Sequence, residues 1–287
     1  MARRRPATTH GAVIVDKPPG PTSHDVVGML RRRFGERRIG HAGTLDPSAT
    51  GVLVIGIGNA TRLLRFATAS HKSYECEIVF GVETSTLDAA GEPVTTWHMD
   101  LDPAEVGAAA AGFIGAISQL PPMVSAVRVG GRRLHEIARS GQTAERAPRD
   151  VEVYRFKVEP SDDPLVYRAV VDCSAGTYVR TLGADLGTAL GGGAHIRALR
   201  RTRSGSFTLS EAGPPTEAEL RTPLELVRDL VQILVSDSEA IQARSGVHLV
   251  DARYDGSGPW ALVDPTGALV AVHERVDGRL RATVLPS

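Results

Sequence analysis

The stretch Gly40-His41-Ala42-Gly43-Thr44-Leu45-Asp46-Pro47-Ser48-Ala49-Thr50-Gly51 is followed directly by the apolar run Val52-Leu53-Val54-Ile55-Gly56-Ile57. Glycine and other small residues favour a loop, and the apolar run favours a buried strand. Asp46 is therefore expected in a loop that a rigid strand holds in place, which is where proteins commonly carry chemistry. An Asp before a Pro also favours an ordinary turn, so the stretch by itself leaves both interpretations open.

The segments on either side have the apolar periodicity of strands and helices. Strands are predicted at 12–15, 52–57, 74–80, 124–129, 151–158, 165–173 and 195–207. Helices are predicted from Thr22 or Ser23 to 34, and at 59–66, 103–114, 134–139, 180–190 and 220–235. This order predicts an α+β fold, with a mixed, mainly antiparallel sheet and flanking helices. Turn signals after 236–238 predict a small C-terminal β module, which divides the chain into 1–10, 11–235 and 236–287.

Composition narrows the class of protein. The chain has 287 residues, 42% of them hydrophobic and 23% charged, which is enough apolar material for a sizeable core. It contains no run of about 18 apolar residues, so no transmembrane helix is expected. Residues 1–10 are basic without an apolar segment behind them, which predicts a flexible tail. Two cysteines are too few for a disulfide framework and favour a reduced, cytoplasmic setting.

Charge is unevenly placed although the formal net charge is zero. Residues 1–72 contain twelve Lys or Arg and four Asp or Glu. Two further basic clusters follow at 128–139 and 195–203. Each cluster alone is most simply a solvated face, but three of them in a neutral protein favour a polyanionic partner whose phosphates they would contact.

The usual sequence signatures of cofactor and metal chemistry are missing. The chain has no Gly-Lys-Ser/Thr triplet for phosphate binding, no complete dinucleotide fingerprint, no zinc-protease helix and no Gly-x-Ser-x-Gly elbow. Chemistry would then depend on side chains alone, which directs attention to a carboxylate, an arginine and an aromatic ring. Asp46, Arg180 and Tyr74 are the candidates, with the arginine expected to keep the carboxylate ionised. Spacing does not determine whether the three meet. Taken alone, Tyr74 is more simply an ordinary core tyrosine, and Arg180 is more simply part of a surface ion pair.

Eight short motifs follow one another along the chain: 15–20 (VDKPPG), 40–51, 72–74 (KSY), 88–91 (DAAG), 121–126 (PPMVSA), 131–141, 173–180 (CSAGTYVR) and 194–201 (AHIRALRR). In sequence and in order, over residues 11 to 205, they resemble those of TruB-type tRNA pseudouridine synthases. The resemblance implies the pseudouridine synthase fold for residues 11–235 and a PUA-like RNA-binding module for 236–287. It also implies that a uridine in the T-loop of transfer RNA, at position 55, is isomerised to pseudouridine without a cofactor, metal or guide RNA.

The resemblance assigns roles residue by residue. Asp46 would be the nucleophile, Arg180 would pair with it, and Tyr74 would stack on the uracil. His41 would fill the space that the flipped base leaves, and Leu199 would line the pocket. Further positions with expected substrate or RNA contacts are Gly43, Asp88 and Tyr178 in the motifs and Lys17, Arg62, Arg132 and Arg133 as phosphate contacts.

Two other functions remain open at this point. A non-catalytic RNA-binding protein would use the same basic surface, although pure binding gains nothing from a carboxylate that faces phosphates. The same chemistry could also act on another stem-loop RNA. The expected partner is the T-arm of tRNA, and no obligate protein partner or membrane is expected.

Overall fold

The strands form a large sheet, a four-stranded C-terminal sheet and two separate pairs of short strands in the computed structural model, which describes residues 8–68, 71–125, 127–134, 137, 142–245, 253–277 and 279–284. The strands are β1 Gly11–Lys17, β2 Ile39–Ala42, β3 Thr50–Ile57, β4 Lys72–Phe80, β5 Val82–Thr84, β6 Pro93–Thr96, β7 Gly115–Gln119, β8 Arg128–Val129, β9 Arg132–Arg133, β10 Arg149–Pro160, β11 Val166–Cys173, β12 Ala194–Ser204, β13 Phe207–Thr208, β14 Val231–Leu234, β15 Trp260–Val263, β16 Leu269–Val276 and β17 Arg279–Val284. The α-helices are α1 Ser23–Phe34, α2 Leu64–Thr68, α3 Pro103–Ala111, α4 Val179–Ala189 and α5 Asp237–Arg244. Turns of 3-10 helix cover Gly58–Leu63, Leu209–Glu211 and Pro223–Val227.

The large sheet has the order β1-β3-β12-β4-β11-β10-β7, with β2 beside β3 and β13 beside β12. Its pairs are antiparallel except for β3 and β12, which are parallel at Thr50 and Gly51. The predicted α+β class with a mixed, mainly antiparallel sheet is confirmed.

Strands β1 and β3 are buried on both faces, which explains their continuous apolar sequences. Val13, Val15 and Ile55 belong to the core cluster that helices α1 and α4 cover. Their neighbours Ile14 and Val54 face a second cluster on the opposite side of the sheet. The Asp46 stretch is therefore attached to the most deeply buried part of the fold.

Helix α1 begins where its sequence signals place it. The Thr22 hydroxyl accepts a hydrogen bond from the backbone amide of Asp25, and the Asp25 carboxylate accepts one from the backbone amide of Thr22. This capping box satisfies amide groups that a helix start leaves free, and Gly35 ends the helix in the left-handed conformation. The cap fixes the entry of α1 next to the loop that follows β1.

The segment 220–235 was predicted as an amphipathic helix, and this prediction is wrong. It contains the short 3-10 turn Pro223–Val227 and the strand Val231–Leu234. The strand pairs in parallel with β15, so a partner distant in sequence decides its conformation against the helical spacing of its apolar residues. The four-stranded sheet β14-β15-β16-β17 thus begins before the predicted boundary at 236.

The C-terminal sheet shares its core with the rest of the protein. Ala261, Leu269 and Val272 lie in the same buried cluster as residues of β1 and β3. Arg65 on α2 also pairs with Glu274 at 2.6 Å. The other face of this sheet packs on α5.

Three smaller differences from the predicted elements complete the fold. Gly40–Ala42 belongs to strand β2, because it pairs with β3, so the loop proper is residues 43–49. Only Arg128–Val129 of the strand predicted at 124–129 forms, and it pairs with β9 outside the large sheet. The helix predicted at 134–139 falls largely outside the described residues, as do residues 1–7 of the predicted tail. None of the helices in the described part of the chain combines the length and hydropathy that a membrane-spanning segment needs.

Candidate active site

The Asp46 loop, residues 43–49, connects β2 to β3 and is held from several sides. Leu45 is buried and exchanges two hydrogen bonds with Ser23 at the start of α1, at 2.9 and 3.1 Å. The backbone amide of Gly20 donates to the carbonyl oxygen of Pro47 at 2.9 Å. These contacts fix the backbone on both sides of Asp46 and make the loop a rigid support for its carboxylate.

Lys17 lies underneath this loop and is fully buried. Its Nζ donates to the carbonyl oxygens of Pro18, Pro21 and Pro47 at 2.9, 2.7 and 3.0 Å. Burial lowers the pKa of Lys17 to about 8, and the charges of Asp46 and Asp25 oppose that change. All three ammonium hydrogens are used inside the protein. This geometry does not fit the phosphate contact expected at Lys17, and it assigns the side chain to holding two loops together.

Asp46 and Arg180 meet across 134 residues of sequence. Arg180 is the second residue of α4, and its Nε and Nη2 bind the two carboxylate oxygens of Asp46 at 3.0 and 3.2 Å. Nη1 and Nη2 also donate to the carbonyl oxygens of Thr86 and Val124 at 2.7 and 2.8 Å. The arginine side chain is 4% exposed and that of Asp46 is 32% exposed, so the pair presents its carboxylate to solvent.

A second carboxylate, Asp88, lies on the other side of Arg180. Its Oδ2 is 3.8 Å from Nη1 of Arg180, and its Oδ1 accepts from the amide of Ala90 and the hydroxyl of Thr86. Burial raises the pKa of Asp46, Arg180 lowers it, and Asp88 raises it further, with a net shift upward. The arginine therefore has the effect expected from the sequence, but burial outweighs it.

The carboxylate opens into a small cleft with a volume of about 40 Å³. The cleft is lined by Asp46, Ser48, Asp88, Ala89, Arg180, Ile196, Arg197, Ala198 and Leu199. Its far wall is a β-bulge in β12, where the pairing with β4 shifts between Arg197 and Arg200. Ala198 in the bulge has φ +53°, a left-handed conformation that non-glycine residues rarely adopt. The bulge interrupts the strand at Leu199 and places this residue on the cleft.

Tyr74 lies behind the cleft and does not line it in this structure. The residue is 9% exposed and belongs to the main core cluster. Burial raises the pKa of Tyr74, whereas the charge of Arg201 and a hydrogen bond to Arg201 lower it, and Asp46 also acts on it electrostatically. The net shift of the Tyr74 pKa is upward, and its ring is covered.

His41 lies on β2, two residues before the Asp46 loop, and is partly buried. Its Nδ1 is buried without a hydrogen-bond partner. Burial lowers the pKa of His41, and the charges of Arg201 and His24 lower it further. A neutral imidazole with an unpaired nitrogen is held only by packing, so it can leave its place at little electrostatic cost.

The remaining predicted contacts lie in different environments. Arg62, in the 3-10 turn Gly58–Leu63, and Arg132, on β9, are exposed and available to a partner. Arg133 follows on β9, and its side chain lies outside the described residues. Tyr178 is the N-cap residue of α4, and both its amide and its carbonyl bind the side chain of Gln119. Gly43 has φ +77°, and a Cβ there would lie 3.3 Å from Nη1 of Arg201.

The sequence analysis did not predict that two arginines of β12, Arg200 and Arg201, help to hold this site together. Arg201 is fully buried beneath the Asp46 loop, and Arg200 forms a bidentate pair with Asp16 at 2.7 and 3.1 Å. Both belong to a basic cluster that was interpreted as a single charged face. A strand alternates its side chains between faces, so neighbouring arginines in β12 could have been assigned to different environments from that periodicity.

Among the residues that the structure describes, no group of three His, Cys, Asp or Glu side chains could hold a metal ion. The chemistry available to the cleft is that of a partly exposed carboxylate, paired with a buried arginine, with an aromatic side chain behind it. Such a carboxylate can act as a nucleophile or as a base.

Solved structures with the same fold place this architecture in a known class. A chain in the crystal structure of a Cbf5-Nop10-Gar1 complex superposes with a TM-score of 0.72 at 25% identity, over 96% of this chain and 84% of that one. A chain in the structure of an H/ACA RNP bound to a substrate RNA containing 2'-deoxyuridine has a TM-score of 0.70 at 23% identity and shares the fold. The fold is that of the pseudouridine synthases.

Sequence comparison defines the family within that class. The model for the N-terminal domain of TruB family pseudouridylate synthases matches residues 31–179, and the model for the C-terminal domain of tRNA pseudouridylate synthase B matches residues 180–230. The chain therefore belongs to the TruB family, as the sequence motifs predicted. Relatives named tRNA pseudouridine synthase B include proteins from Mycobacterium sp. (strain KMS), 45% identical over 96% of this chain and 95% of that one, and from Thermobifida fusca (strain YX), 43% identical over 96% and 98%.

Proposed function

We propose that this protein isomerises a uridine of transfer RNA to pseudouridine, at position 55 in the T-loop, with Asp46 as nucleophile and without a cofactor or guide RNA. The observation that carries the proposal is the Asp46 carboxylate, which opens into the cleft while Arg180 binds both of its oxygens. The relatives named tRNA pseudouridine synthase B support the substrate class, because they match nearly the whole chain.

The reaction suits a site made of side chains alone. The bond between N1 of uracil and C1′ of ribose breaks, the base turns, and C5 bonds to C1′, so the product is an isomer of the substrate and no electrons are exchanged. A covalent bond to the Asp46 carboxylate divides this rearrangement into easier steps. Arg180 keeps the carboxylate oriented by two parallel hydrogen bonds, a geometry that only arginine provides.

The target base has to leave its stack to reach Asp46, which costs about a few kcal/mol. We assign His41 to the space that the base vacates, because its imidazole is packed but lacks a partner at Nδ1. Leu199 would then hold the flipped uracil from the β12 side of the cleft. Tyr74 would stack on the base once the covering side chains move, since its ring lies behind the cleft.

Binding of the T-arm would use the exposed basic residues around the cleft. Arg62 and Arg132 are exposed, in contrast to Lys17, and are the phosphate contacts that we retain. Arg133 is kept as a proposed phosphate contact on the strength of the sequence alone. The C-terminal module remains a proposed PUA-like RNA-binding unit, and a cytoplasmic location remains a prediction.

The direct test measures tritium release from a tRNA transcript labelled at uracil C5. Wild type should release tritium at a T-loop uridine, and Asp46→Asn should bind the RNA without release. Asp100→Asn, an exposed carboxylate far from α4 in sequence, is the matched control and should behave as wild type. Full release by Asp46→Asn, or none by wild type, would reject the assignment.

The RNA range is tested with the same assay on three substrates. An isolated T-arm hairpin should react, an unrelated stem-loop of equal length should not, and no guide RNA is added. Reaction with the unrelated stem-loop alone would show that the substrate is an RNA other than tRNA. Binding of all three RNAs with no tritium release would favour a non-catalytic RNA-binding protein.

A further inference from the structure

Gln119, the last residue of β7, is a buried amide that binds the start of α4. The residue is 1% exposed. Its Oε1 accepts a hydrogen bond from the backbone amide of Tyr178 at 3.0 Å, and its Nε2 donates to the carbonyl oxygen of Tyr178 at 3.3 Å. One side chain therefore supplies both a donor and an acceptor to the backbone of one residue, a combination that Gln and Asn share and that aliphatic side chains lack.

These two bonds hold a helix start that has no side-chain cap of its own. Tyr178 is the N-cap residue of α4, and its side chain forms no capping hydrogen bond. Ser, Thr, Asp and Asn usually fix this position by bonding an amide of the first turn. Gln119 instead fixes the N-cap residue through its backbone. Since Arg180 is the second residue of α4, the place of its side chain depends on this contact.

The chain that follows Gln119 gives Arg180 a second support. Residues 120–124 lead from Gln119 to Val124, whose carbonyl oxygen accepts a hydrogen bond from Nη2 of Arg180 at 2.8 Å. The same nitrogen binds Oδ1 of Asp46 at 3.2 Å. Gln119 thus lies at the point where the 120–124 segment is joined to α4, and both of these elements contact the guanidinium or carry it.

Gln119 itself is not among the residues that line the cleft. Its influence on Asp46 passes through Arg180, whose Nε and Nη2 bind the two carboxylate oxygens at 3.0 and 3.2 Å. Hydrogen bonds weaken as they lengthen, and an N···O distance of about 3.6 Å no longer counts as one. A displacement of α4 by about 0.5 Å is therefore enough to loosen both bonds to the carboxylate.

We propose that Gln119 is a positioning residue for the isomerisation, which joins the start of α4 to the 120–124 segment and so places Arg180 against Asp46. The inference rests on the proposed function, since it concerns the ion pair that this function uses. It adds a residue that lies outside the cleft and that the sequence motifs did not assign. Buried amide groups without partners are costly, so the two bonds to Tyr178 also select one orientation of the side chain.

The first test observes the ion pair without any RNA. The Nε–H of Arg180 faces Oδ2 of Asp46 at 3.0 Å, and its exchange with water is followed by NMR. Gln119→Met keeps the length of the side chain but loses both bonds to Tyr178, and it should speed this exchange by about tenfold or more. Ile117→Ala, which removes packing from the same strand, is the control and should change the exchange by less than about twofold.

The second test measures single-turnover tritium release from the T-arm hairpin over a range of RNA concentrations. Gln119→Met should lower the maximal rate by about tenfold or more and leave the half-saturating RNA concentration within about threefold, because no RNA contact is removed. Ile117→Ala should keep the maximal rate within about twofold at a temperature where it is folded. In an Arg180→Lys background, Gln119→Met should cause no further loss, because the side chain that Gln119 places is gone.

The outcomes separate this proposal from the function on which it rests. Unchanged exchange of the Arg180 Nε–H in Gln119→Met, equal losses of rate in Ile117→Ala, or losses that multiply in the double variant would overturn the role of Gln119. If Gln119→Met does not fold, Gln119→Asn takes its place. Its shorter side chain either loses the bonds to Tyr178 or draws α4 towards β7, so wild-type exchange and rate in Gln119→Asn would overturn the proposal equally. Absence of tritium release by wild type would instead refute the proposed function, since the exchange measurement needs no activity.

Discussion

Gly51 of β3 is paired with Arg201 of β12, and replacing it with Ala gives a direct test of how the site is assembled. Its φ is +102°, and a Cβ there would lie 2.1 Å from the carbonyl oxygen of Arg201 and 2.8 Å from its nitrogen. Backbone atoms of a paired strand cannot turn away as a side chain can. We therefore expect Gly51→Ala to push β12 from β3 and to displace the cleft wall that β12 carries.

The magnitude follows from two contributions. A left-handed backbone costs an alanine about 1–2 kcal/mol. Separation of the strands also removes the hydrogen bond from Nε of Arg201 to the carbonyl of Val52, 2.7 Å long, and leaves a buried cation short of a partner, at about 1–3 kcal/mol. We expect Gly51→Ala to lower the free energy of unfolding by about 2–5 kcal/mol.

Gly20→Ala is the matched control. Gly20 has the same φ of +102°, but nothing lies within 4 Å of a Cβ placed on it. It should lose only the backbone contribution of about 1–2 kcal/mol. The measurement is denaturant unfolding of both variants, followed by tritium release from those that fold. Equal losses of stability in the two variants would refute the close approach of β12 as the reason for a glycine at position 51.

Three further predictions follow from single contacts. Arg180→Lys cannot form the two parallel bonds to Asp46, and we expect at least a hundredfold lower rate of tritium release with the fold retained; a rate within tenfold of wild type would contradict this. Lys17→Met should leave the salt dependence of RNA binding unchanged and increase amide hydrogen exchange in residues 43–49, whereas a phosphate contact would lower the salt slope by about one. Glu211 has its pKa lowered to about 2, chiefly by hydrogen bonds from Arg228, so its stabilising contribution is present above its ordinary pKa of 4.5 and is lost as the pH falls through the folded value. Between pH 4.5 and 2, the free energy of unfolding should therefore fall by up to about 2 kcal/mol more in wild type than in Glu211→Gln. Parallel curves of unfolding free energy against pH would contradict this.

The sequence predicted those parts of the fold that depend on neighbours along the chain. The capping signal at Thr22, the glycine after Phe34 and the Pro at the start of α3 each act within a few residues, and the structure has helices there. The strand Val231–Leu234 was missed because its conformation depends on β15, about thirty residues further on. Local periodicity contains no information on that partner.

The same division applies to the candidate site. The sequence by itself determined that Asp46 lies in a small-residue loop before a buried strand, and ordered motifs determined the family. Only the tertiary structure decided that Arg180 reaches Asp46 across 134 residues, that Lys17 points inward to three carbonyl oxygens, and that Arg201 lies under the loop. The physical reason is that a basic residue looks the same in a sequence whether it is solvated or buried. The strand order β3-β12-β4 brings the distant partners together, and only those partners can compensate the cost of burial.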